Sequence, residues 1–378
     1  MTDKSFSSFM GIDLHKSTLT IGVLNAKKEE VGCKAFDTKC VEKIVAYVKS
    51  FPGPVACAIE SVGMYEWLWE LLEGEVDHLV LADAAEVKRR RPRGKAKTDR
   101  NDSLLLARLM ILDEVPFSYV PKKKIRSLRK LGRHYHTLSE SLTDLKIRLR
   151  WILNQGNHRG PDSITGASAQ RWILANATKL DEITVSIYKS FLSLIEKLEA
   201  EKITVIREMK LIARQSEYKT QFDILQSIPG VGDVISFIVF AEIGDFSRFP
   251  NTNAIACYTG LTERTQESAG NRKPGRISKC GNSTLRWALV EAATTMIRHD
   301  KGQKAIYDRI VENKGGPTQI NRSKAKIAVA QRIIRYLWKM MQTGEFFIKG
   351  EPTLRQAELN ATRAKKLAQG KTAEKMSD

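Results

Sequence analysis

The sequence predicts an α/β domain at the N-terminus, followed by two regions that are mostly α-helical. Short apolar segments alternate with helical patterns over the first third of the chain, and glycine or proline separates several of them. From Lys122 onward, apolar residues recur at intervals of three and four, which is the period of an α-helix. We therefore divide the chain into an α/β domain at 1–118, a long-helix region at 119–217, a helical C-terminal domain at 218–348 and a polar tail at 349–378.

The α/β domain opens with three consecutive strands, which we expect over Ser8 to Asp13, Thr18 to Leu24 and Glu30 to Phe36. Two further strands, Val55 to Glu60 and His78 to Ala82, each follow a predicted helix. The helices are expected over Val41 to Ser50, Tyr65 to Leu72 and Asp99 to Leu112. A β-meander followed by β-α units indicates a mixed sheet flanked by helices, as in the RNase H-like fold.

The middle region is predicted to contain two long helices with a seam like that of a coiled coil. Apolar residues at helical spacing run from Ile125 to Ile152 and again from Ile187 to Ile212. Between them, Asn154 to Ser168 carries three glycines and a proline, which indicates a loop. A helical hairpin within one chain and a dimerising coiled coil fit this pattern equally well.

The C-terminal domain begins with a glycine-rich turn, Ile228-Pro229-Gly230-Val231-Gly232. This segment resembles a helix-hairpin-helix turn, in which the backbone N–H groups of Gly230 and Gly232 would hold a phosphate at a helix N-terminus. A tight turn between two helices explains the glycines equally well. A polar, glycine-rich segment follows from Gly260 to Asn282, and the domain ends with a basic helix from Lys324 to Met341.

The charge balance points to a polyanionic partner. The 378 residues include 62 Lys and Arg against 43 Asp and Glu, a net charge of +19, so we expect the protein to bind nucleic acid. No apolar stretch approaches the ~20 residues of a membrane helix, so we expect no membrane partner and a cytoplasmic protein. The five cysteines form no C-x-x-C pair and are expected to be idle thiols, and the six histidines show no metal-ligand spacing.

Four acidic residues in the first third of the chain are the strongest candidates for a functional site. Asp13 and Glu60 end two predicted strands, and Asp99 and Asp102 are three residues apart at a predicted helix start. That spacing places two like charges on one helix face, where a bound cation relieves their repulsion. Mg²⁺ prefers carboxylate oxygens, so the set predicts a Mg²⁺ site for phosphodiester cleavage, with Mn²⁺ as an alternative. Taken singly, each acid has a structural explanation as a helix cap or an exposed strand-end carboxylate.

A run of basic residues leads directly into Asp99. It is predicted to neutralise nucleic-acid phosphates, although a solvated charged loop would have the same composition. The run comprises Lys88, Arg89, Arg90, Arg91, Arg93, Lys95 and Lys97.

In their order, these motifs resemble the DEDD transposases, which are pilin-invertase-like recombinases of minimal insertion sequences. The N-terminal part of the resemblance rests on Gly11-Ile12-Asp13, Ile59-Glu60-Ser61-Val62-Gly63-Met64-Tyr65 and Lys97-Thr98-Asp99-Arg100-Asn101-Asp102. The C-terminal part rests on the glycine-rich turn, Tyr258-Thr259-Gly260-Leu261-Thr262, Glu267-Ser268, Gly275-Arg276-Ile277-Ser278-Lys279-Cys280-Gly281-Asn282 and Leu285-Arg286. Two positions depart from the family pattern, namely Glu263, where proline is usual, and Ala269, where glycine is common.

The resemblance implies a RuvC-like nuclease domain that binds Mg²⁺ through Asp13, Glu60, Asp99 and Asp102. It also implies that Ser268 is the nucleophile and forms a transient phosphoserine link to DNA. Basic residues near Ser268 would hold the scissile backbone, namely Arg272, Lys273, Arg276 and Lys279.

The resemblance further implies the partners. These are double-stranded DNA, a structured noncoding guide RNA (a bridge RNA) that pairs with target and donor DNA, and further copies of the chain. Dimers would pair into tetramers, with one subunit's carboxylates acting beside another's serine. The protein would act in the bacterial cytoplasm, at the nucleoid.

Two other functions fit the residues themselves. One is a RuvC-like Holliday-junction resolvase or nuclease in which metal-activated water attacks the phosphate. The other is a non-catalytic basic protein that binds nucleic acid and whose carboxylates are inert. Ser268→Ala would keep cleavage in the first case, and Asp13→Asn would change no activity in the second.

Overall fold

The computed structural model describes residues 5–91, 96–161, 163–164, 166–268 and 271–347, with the backbone alone for 264–268 and 271–276. The chain divides into two compact units, Met1–Val120 and the remainder from Pro121 onward. We call them the α/β unit and the helical unit and describe each by itself. Arg93, Lys95, Ala269 and the polar tail at 349–378 lie outside the described residues.

The α/β unit is built on a five-stranded mixed sheet, and its predicted strands are confirmed to within two residues. The strands are β1 (Ser8–Leu14), β2 (Thr18–Asn25), β3 (Glu30–Asp37), β4 (Val55–Glu60) and β5 (His78–Ala82), in the order β3-β2-β1-β4-β5. The β1–β2 and β2–β3 pairs are antiparallel, whereas β1–β4 and β4–β5 are parallel. The helices of this unit are α1 (Val41–Lys49), α2 (Tyr65–Leu72), α3 (Ala84–Arg89) and α4 (Asp99–Ile111).

Helices cover both faces of this sheet. Met10 and Ile12 of β1 share a core with Ile44 of α1 and Leu68 of α2. On the opposite face, Ala58 of β4 packs in a cluster with residues of α3 and α4. Because side chains alternate along a strand, every second residue of β1 and β4 faces α4.

Helix α3 was not predicted, and it holds the first residues of the basic run, for which a solvated loop was the alternative explanation. The Asp83 side chain accepts hydrogen bonds from the backbone N–H groups of Ala85 and Glu86, which starts the helix. As a result, Lys88 and Arg89 lie in its last turn rather than in a loop. The predicted helix at Asp99 is confirmed, and Thr98 caps it through the backbone N–H of Asn101.

The helical unit begins with two long helices, as the apolar spacing predicts. Helix α5 (Lys123–Gln155) and helix α7 (Glu182–Ala213) pack on each other, with Leu149 of α5 and Leu192 of α7 in one core. Helix α6 (Gly166–Asn176) and a 3₁₀ turn (Ala177–Lys179) lie between them in sequence. The predicted loop from Asn154 to Ser168 is therefore wrong at its end, because α6 already begins at Gly166. A dimerising coiled coil remains a prediction.

The second half of this unit surrounds a larger apolar core. Its helices are α8 (Lys219–Gln226), α9 (Asp233–Ile243), α10 (Thr252–Thr259), α11 (Ser283–His299), α12 (Lys301–Asn313) and α13 (Gln319–Thr343). The core joins residues such as Phe237, Leu289 and Ile333. Among the described residues, no helix is both long and apolar enough to cross a membrane.

The helical unit also contains a β-hairpin that was not predicted. Within the polar segment from Gly260 to Asn282, strands β6 (Glu263–Ser268) and β7 (Asn271–Ile277) pair as an antiparallel hairpin, with Ser268 opposite Asn271. The segment has no apolar alternation, which is the signal by which strands are recognised.

Candidate functional site

The sheet register brings Asp13 and Glu60 to neighbouring positions. Strands β1 and β4 are parallel and adjacent, and their register ends with Ile12 opposite Ile59. The next residue on each strand is the acid, so the two carboxylates stand side by side at the carboxyl edge of the sheet. Because side chains alternate between the two faces of a sheet, both carboxylates lie on the face that α4 covers.

Helix α4 brings the other two acids to the same face through a close approach at Gly11. A Cβ atom on Gly11 would lie 2.0 Å from the carbonyl oxygen of Ser103 and 2.6 Å from the backbone nitrogen of Ala107. Only glycine leaves room for the helix backbone at this distance. Because Ser103 follows Asp102, the glycine of the Gly-Ile-Asp motif determines how near the acids of α4 come to Asp13.

His15 joins this cluster, and the sequence analysis missed it. Its Nε2 lies 3.3 Å from Oδ2 of Asp13 and 3.3 Å from Oδ1 of Asp99. One potential ligand atom from each of these three residues lies within 4.8 Å of the others. The available signal was the spacing of two from Asp13, which places both side chains on one side of an extended segment.

Asp102 is paired with a cation from the basic run. Nη2 of Arg91 donates a hydrogen bond to Oδ2 of Asp102 at 2.6 Å, and Asp102 is buried. Asp13, Glu60 and Asp102 line one cavity of about 470 Å³ together with Arg91 and other residues. The basic lining of this cavity also includes Lys88 and Lys97. The cavity therefore combines clustered acids with cations that suit a phosphate.

The pKa values of two acids reflect this crowding. Burial raises the pKa of the Asp13 carboxyl; His15 opposes the shift, and the Asp99 and Asp102 carboxylates add to it. Burial likewise raises the pKa of Glu60, with a further rise from Asp13 and Asp102. Like charges held together out of water disfavour the ionised form, and a multivalent cation would reverse that effect.

The donor set of this cluster fits a hard divalent cation. The cluster offers carboxylate oxygens from two strand ends and one helix start, and these are the ligands that Mg²⁺ and Mn²⁺ take in proteins. Burial is the main cause of the raised pKa of Asp13 and of Glu60, and the neighbouring acids add to it, so a bound cation would favour the ionised form of both carboxyls.

The basic run is only partly free to meet a ligand. Arg89 pairs with Glu86, Arg90 donates to the carbonyl of Glu114, and Arg91 pairs with Asp102. Lys97 is exposed and lines the cavity. Contact with nucleic acid stays a prediction for the run, and three of its described members already have partners within the chain.

In the helical unit, Ser268 lies at the end of β6 on the hairpin. Arg272, Lys273 and Arg276 lie on β7, so the hairpin collects the predicted nucleophile and three predicted phosphate contacts on two paired strands. Lys279 follows β7 and is exposed, with a left-handed backbone at φ 52°. The roles of these residues remain predictions.

The glycine-rich turn connects α8 to α9. Gly230 has φ 92°, and a Cβ atom there would lie 2.4 Å from the carbonyl oxygen of Ala292 in α11. Packing against α11 is thus enough to require glycine at 230. Gly232 precedes α9 in open space, but Asp233 in the first turn carries a negative charge and pairs with Lys210 at 3.0 Å. Phosphate binding at this turn remains a prediction.

Comparison with known proteins identifies two family models along the chain. A DEDD transposase model of IS110 elements matches residues 10–158, which include the four acids, and a transposase model of the IS116/IS110/IS902 family matches residues 222–308, which include Ser268. The two matched segments together cover more than half of the chain.

Individual relatives agree with these models. The chain is 30% identical over 145 residues to the transposase for insertion sequence element IS1111A from Coxiella burnetii, an alignment that spans 37% of each chain. It is 23% identical to the transposase for insertion sequence element IS1533 from Leptospira borgpetersenii, over 80% of this chain and 88% of that one. It is 26% identical to the 43.6 kDa protein of insertion element IS110 from Streptomyces coelicolor, over 47% of this chain and 44% of that one. With the acids at one sheet edge and both family segments in order, the chain belongs to the DEDD transposases of the IS110 family, which are DNA-cleaving and strand-transferring enzymes.

Proposed function

We propose that the protein moves an insertion sequence by cleaving and rejoining DNA, with Asp13, Glu60, Asp99 and Asp102 as ligands of Mg²⁺ or Mn²⁺. The observation that carries this proposal is that Asp13, Glu60 and Asp102 line one cavity, where burial and the neighbouring acids raise the pKa of Asp13 and of Glu60. Acids with perturbed pKa values in one cavity are typical of functional sites. When bound, the metal would stabilise charge on the attacking and leaving oxygens of a phosphodiester.

The chain's own cations have a separate part in this proposal. Lys88, Arg91 and Lys97 line the same cavity as the acids and would bind the phosphate oxygens of the DNA. Arg91 would exchange its pairing with Asp102 for a phosphate when Asp102 binds metal. His15 would hold Asp13 and Asp99 at a fixed separation, since it lies 3.3 Å from each.

Ser268 is the proposed nucleophile. Its Oγ would form a bond to phosphorus while the bond from phosphorus to one sugar oxygen breaks. The serine hydroxyl loses a proton and the departing sugar oxygen gains one, so the DNA end is held as a phosphoserine. Support comes from the motif resemblance and from the position of Ser268 within the second family segment. The name DEDD describes the acids alone and on its own favours attack by water.

A single-turnover cleavage assay on DNA that carries an element end separates these chemistries. We expect Ser268→Ala to lose both cleavage and the covalent protein–DNA adduct. Ser283→Ala removes a serine from the first turn of α11, outside the hairpin, and should keep both. Asp13→Asn should lose both while still binding DNA. Cleavage that persists in Ser268→Ala would establish water as the nucleophile, and cleavage that persists in Asp13→Asn would end the metal proposal.

Guide RNA and assembly complete the proposal. A noncoding RNA encoded beside the gene would pair with both DNA partners, and dimers that join into tetramers would hold the four DNA ends. Support comes from the motif resemblance and from the net charge of +19. Cleavage should then require RNA transcribed from the flanking DNA. Equal cleavage after ribonuclease treatment would contradict RNA guidance.

A further inference from the structure

Glu242 is a buried acid that the proposed chemistry does not use. It lies near the end of α9, in a mostly apolar helix, and is 1% exposed. Its Oε1 accepts a hydrogen bond from Nε of Arg133 at 2.6 Å. Its Oε2 accepts from Nη2 of Arg133 at 2.9 Å and from Nδ2 of Asn282 at 2.6 Å. A carboxylate taken out of water requires such donors, and here they come from two separate elements.

The backbone around Glu242 is held by the same neighbourhood. Arg129 of α5 donates from Nε to the carbonyl of Ala241 at 2.8 Å and from Nη2 to the carbonyl of Glu242 at 2.7 Å. The hydroxyl of Tyr258 donates to the carbonyl of Glu242 at 3.1 Å. These groups satisfy the carbonyls at the C-terminal end of α9, where positive charge is favourable.

Tyr258 and Asn282 lie on either side of the β6–β7 hairpin in sequence. The backbone N–H of Asn282 donates to the carbonyl of Tyr258 at 3.1 Å. Nearer to the hairpin strands in sequence, the backbone N–H of Lys279 donates to the carbonyl of Gly260 at 3.2 Å. Glu242 therefore contacts both sides of the hairpin base, one through its side chain and one through its backbone.

We propose that Glu242 is a positioning residue for the hairpin that carries Ser268. Through its hydrogen bonds with Arg133 and Arg129, it connects the hairpin base to the long helix α5. These contacts would fix the orientation of the hairpin relative to α5. The inference rests on the proposed function, because the direction of the hairpin matters for reaction only if Ser268 is the nucleophile. Small misplacements of a reacting group cost about 100-fold in rate.

Glu242→Gln is a suitable test because the variant should still fold. Arg133 has a side chain that is 55% exposed, so water can hydrate its guanidinium when the carboxylate is gone. Arg129 keeps its two backbone carbonyl acceptors. Tyr258→Phe is a milder second variant, which removes only the hydroxyl bond to the Glu242 carbonyl. Gln303→Ala is the matched control, because Gln303 is buried and hydrogen-bonded to Arg332 and Tyr336 in α13 instead.

The experiment measures the mobility of the hairpin base directly. Cys280 is exposed and lies between β7 and Asn282, so a nitroxide label on its thiol reports on this base after Cys33, Cys40 and Cys257 are replaced by Ser. We expect Glu242→Gln to increase label mobility, Tyr258→Phe to increase it less, and Gln303→Ala to leave it unchanged. In the adduct assay, Glu242→Gln should lower the rate at least tenfold with an unchanged Kd for DNA.

Two results would overturn the inference. One is a Cys280 label that is equally mobile in the parent protein and in Glu242→Gln. The other is an increase in label mobility that is as large in Gln303→Ala as in Glu242→Gln, which would indicate general destabilisation. Because label mobility does not depend on the nucleophile, cleavage that persists in Ser268→Ala refutes the proposed function separately.

Discussion

Asp13 in the α/β unit and Glu242 in the helical unit are both buried acids, yet their surroundings are opposite in charge balance. Asp13 has three acids for neighbours, and its pKa is raised by burial and by two of them. Glu242 receives three hydrogen bonds on its carboxylate, two of them from a guanidinium. An excess of acids indicates a site for an external cation, whereas an excess of donors indicates a structural joint.

The largest expected effect follows from the close approach of α4 to β1. Gly11→Ala would force a Cβ atom to within 2.0 Å of the Ser103 carbonyl oxygen, so α4 and its acids would have to move. We expect a loss of about 3 kcal/mol in the free energy of unfolding, the upper range for overpacking, measured by chemical denaturation. Gly63→Ala, where a Cβ atom meets nothing within 4 Å, should change stability by less than about 0.5 kcal/mol. Equal stabilities of the two variants would contradict the packing described for Gly11.

The next effect distinguishes the two partners of the Glu242 ion pair. Arg133→Met leaves a carboxylate that is 1% exposed with fewer donors, whereas Glu242→Gln leaves an arginine that water can reach. We expect Arg133→Met to lose about 2 kcal/mol in the free energy of unfolding, less than an unpaired buried charge costs, because Asn282 still donates to the carboxylate and Nε of Arg129 lies 3.8 Å from its Oε2. In urea unfolding, Glu242→Gln should lower the free energy of unfolding by less than Arg133→Met does. A larger loss for Glu242→Gln than for Arg133→Met would show that the buried carboxylate does not depend on this ion pair more than the arginine does.

The smallest expected effect concerns Asp13 without metal. The pKa of Asp13 is higher in the folded protein than the ordinary Asp value of 3.8, so ionisation of this carboxyl lowers the stability of the fold as the pH rises above 3.8. At low pH the carboxyl is protonated in the folded and in the unfolded protein, and this cost disappears. In the presence of a chelator at pH 7, Asp13→Asn should therefore melt at the same temperature as the parent protein or higher. Near pH 4 the difference should shrink. A lower Tm for Asp13→Asn at pH 7 would show that the carboxylate stabilises the metal-free fold.

The sequence alone predicted the α/β unit well, for a physical reason. Its strands are short apolar runs bounded by turns, so Val55–Glu60 and His78–Ala82 carry their own signal. The acids at strand ends could also be placed at one sheet edge, because parallel neighbours end together. His15 was passed over because its partner Asp99 is distant in sequence, although the spacing from Asp13 was a local signal.

The sequence predicted the helical unit less completely. The sequence of the β6–β7 hairpin is polar and glycine-rich, so it lacks the apolar alternation by which strands are predicted. The contacts of Glu242 join α9 to residues more than 35 positions away in either direction along the chain. A single acid near the end of a mostly apolar helix was the available signal, since such a group requires buried partners.

A titration with Mn²⁺, followed by electron paramagnetic resonance, tests the central claim that the acids of the α/β unit form a divalent cation site. The parent protein should bind Mn²⁺ saturably, and Asp13→Asn and Glu60→Gln should each weaken binding at least tenfold. Glu42→Gln removes the same charge from an exposed position of the same unit and should bind as the parent does. Equal Mn²⁺ binding by all four proteins, or no binding by any of them, would contradict the account.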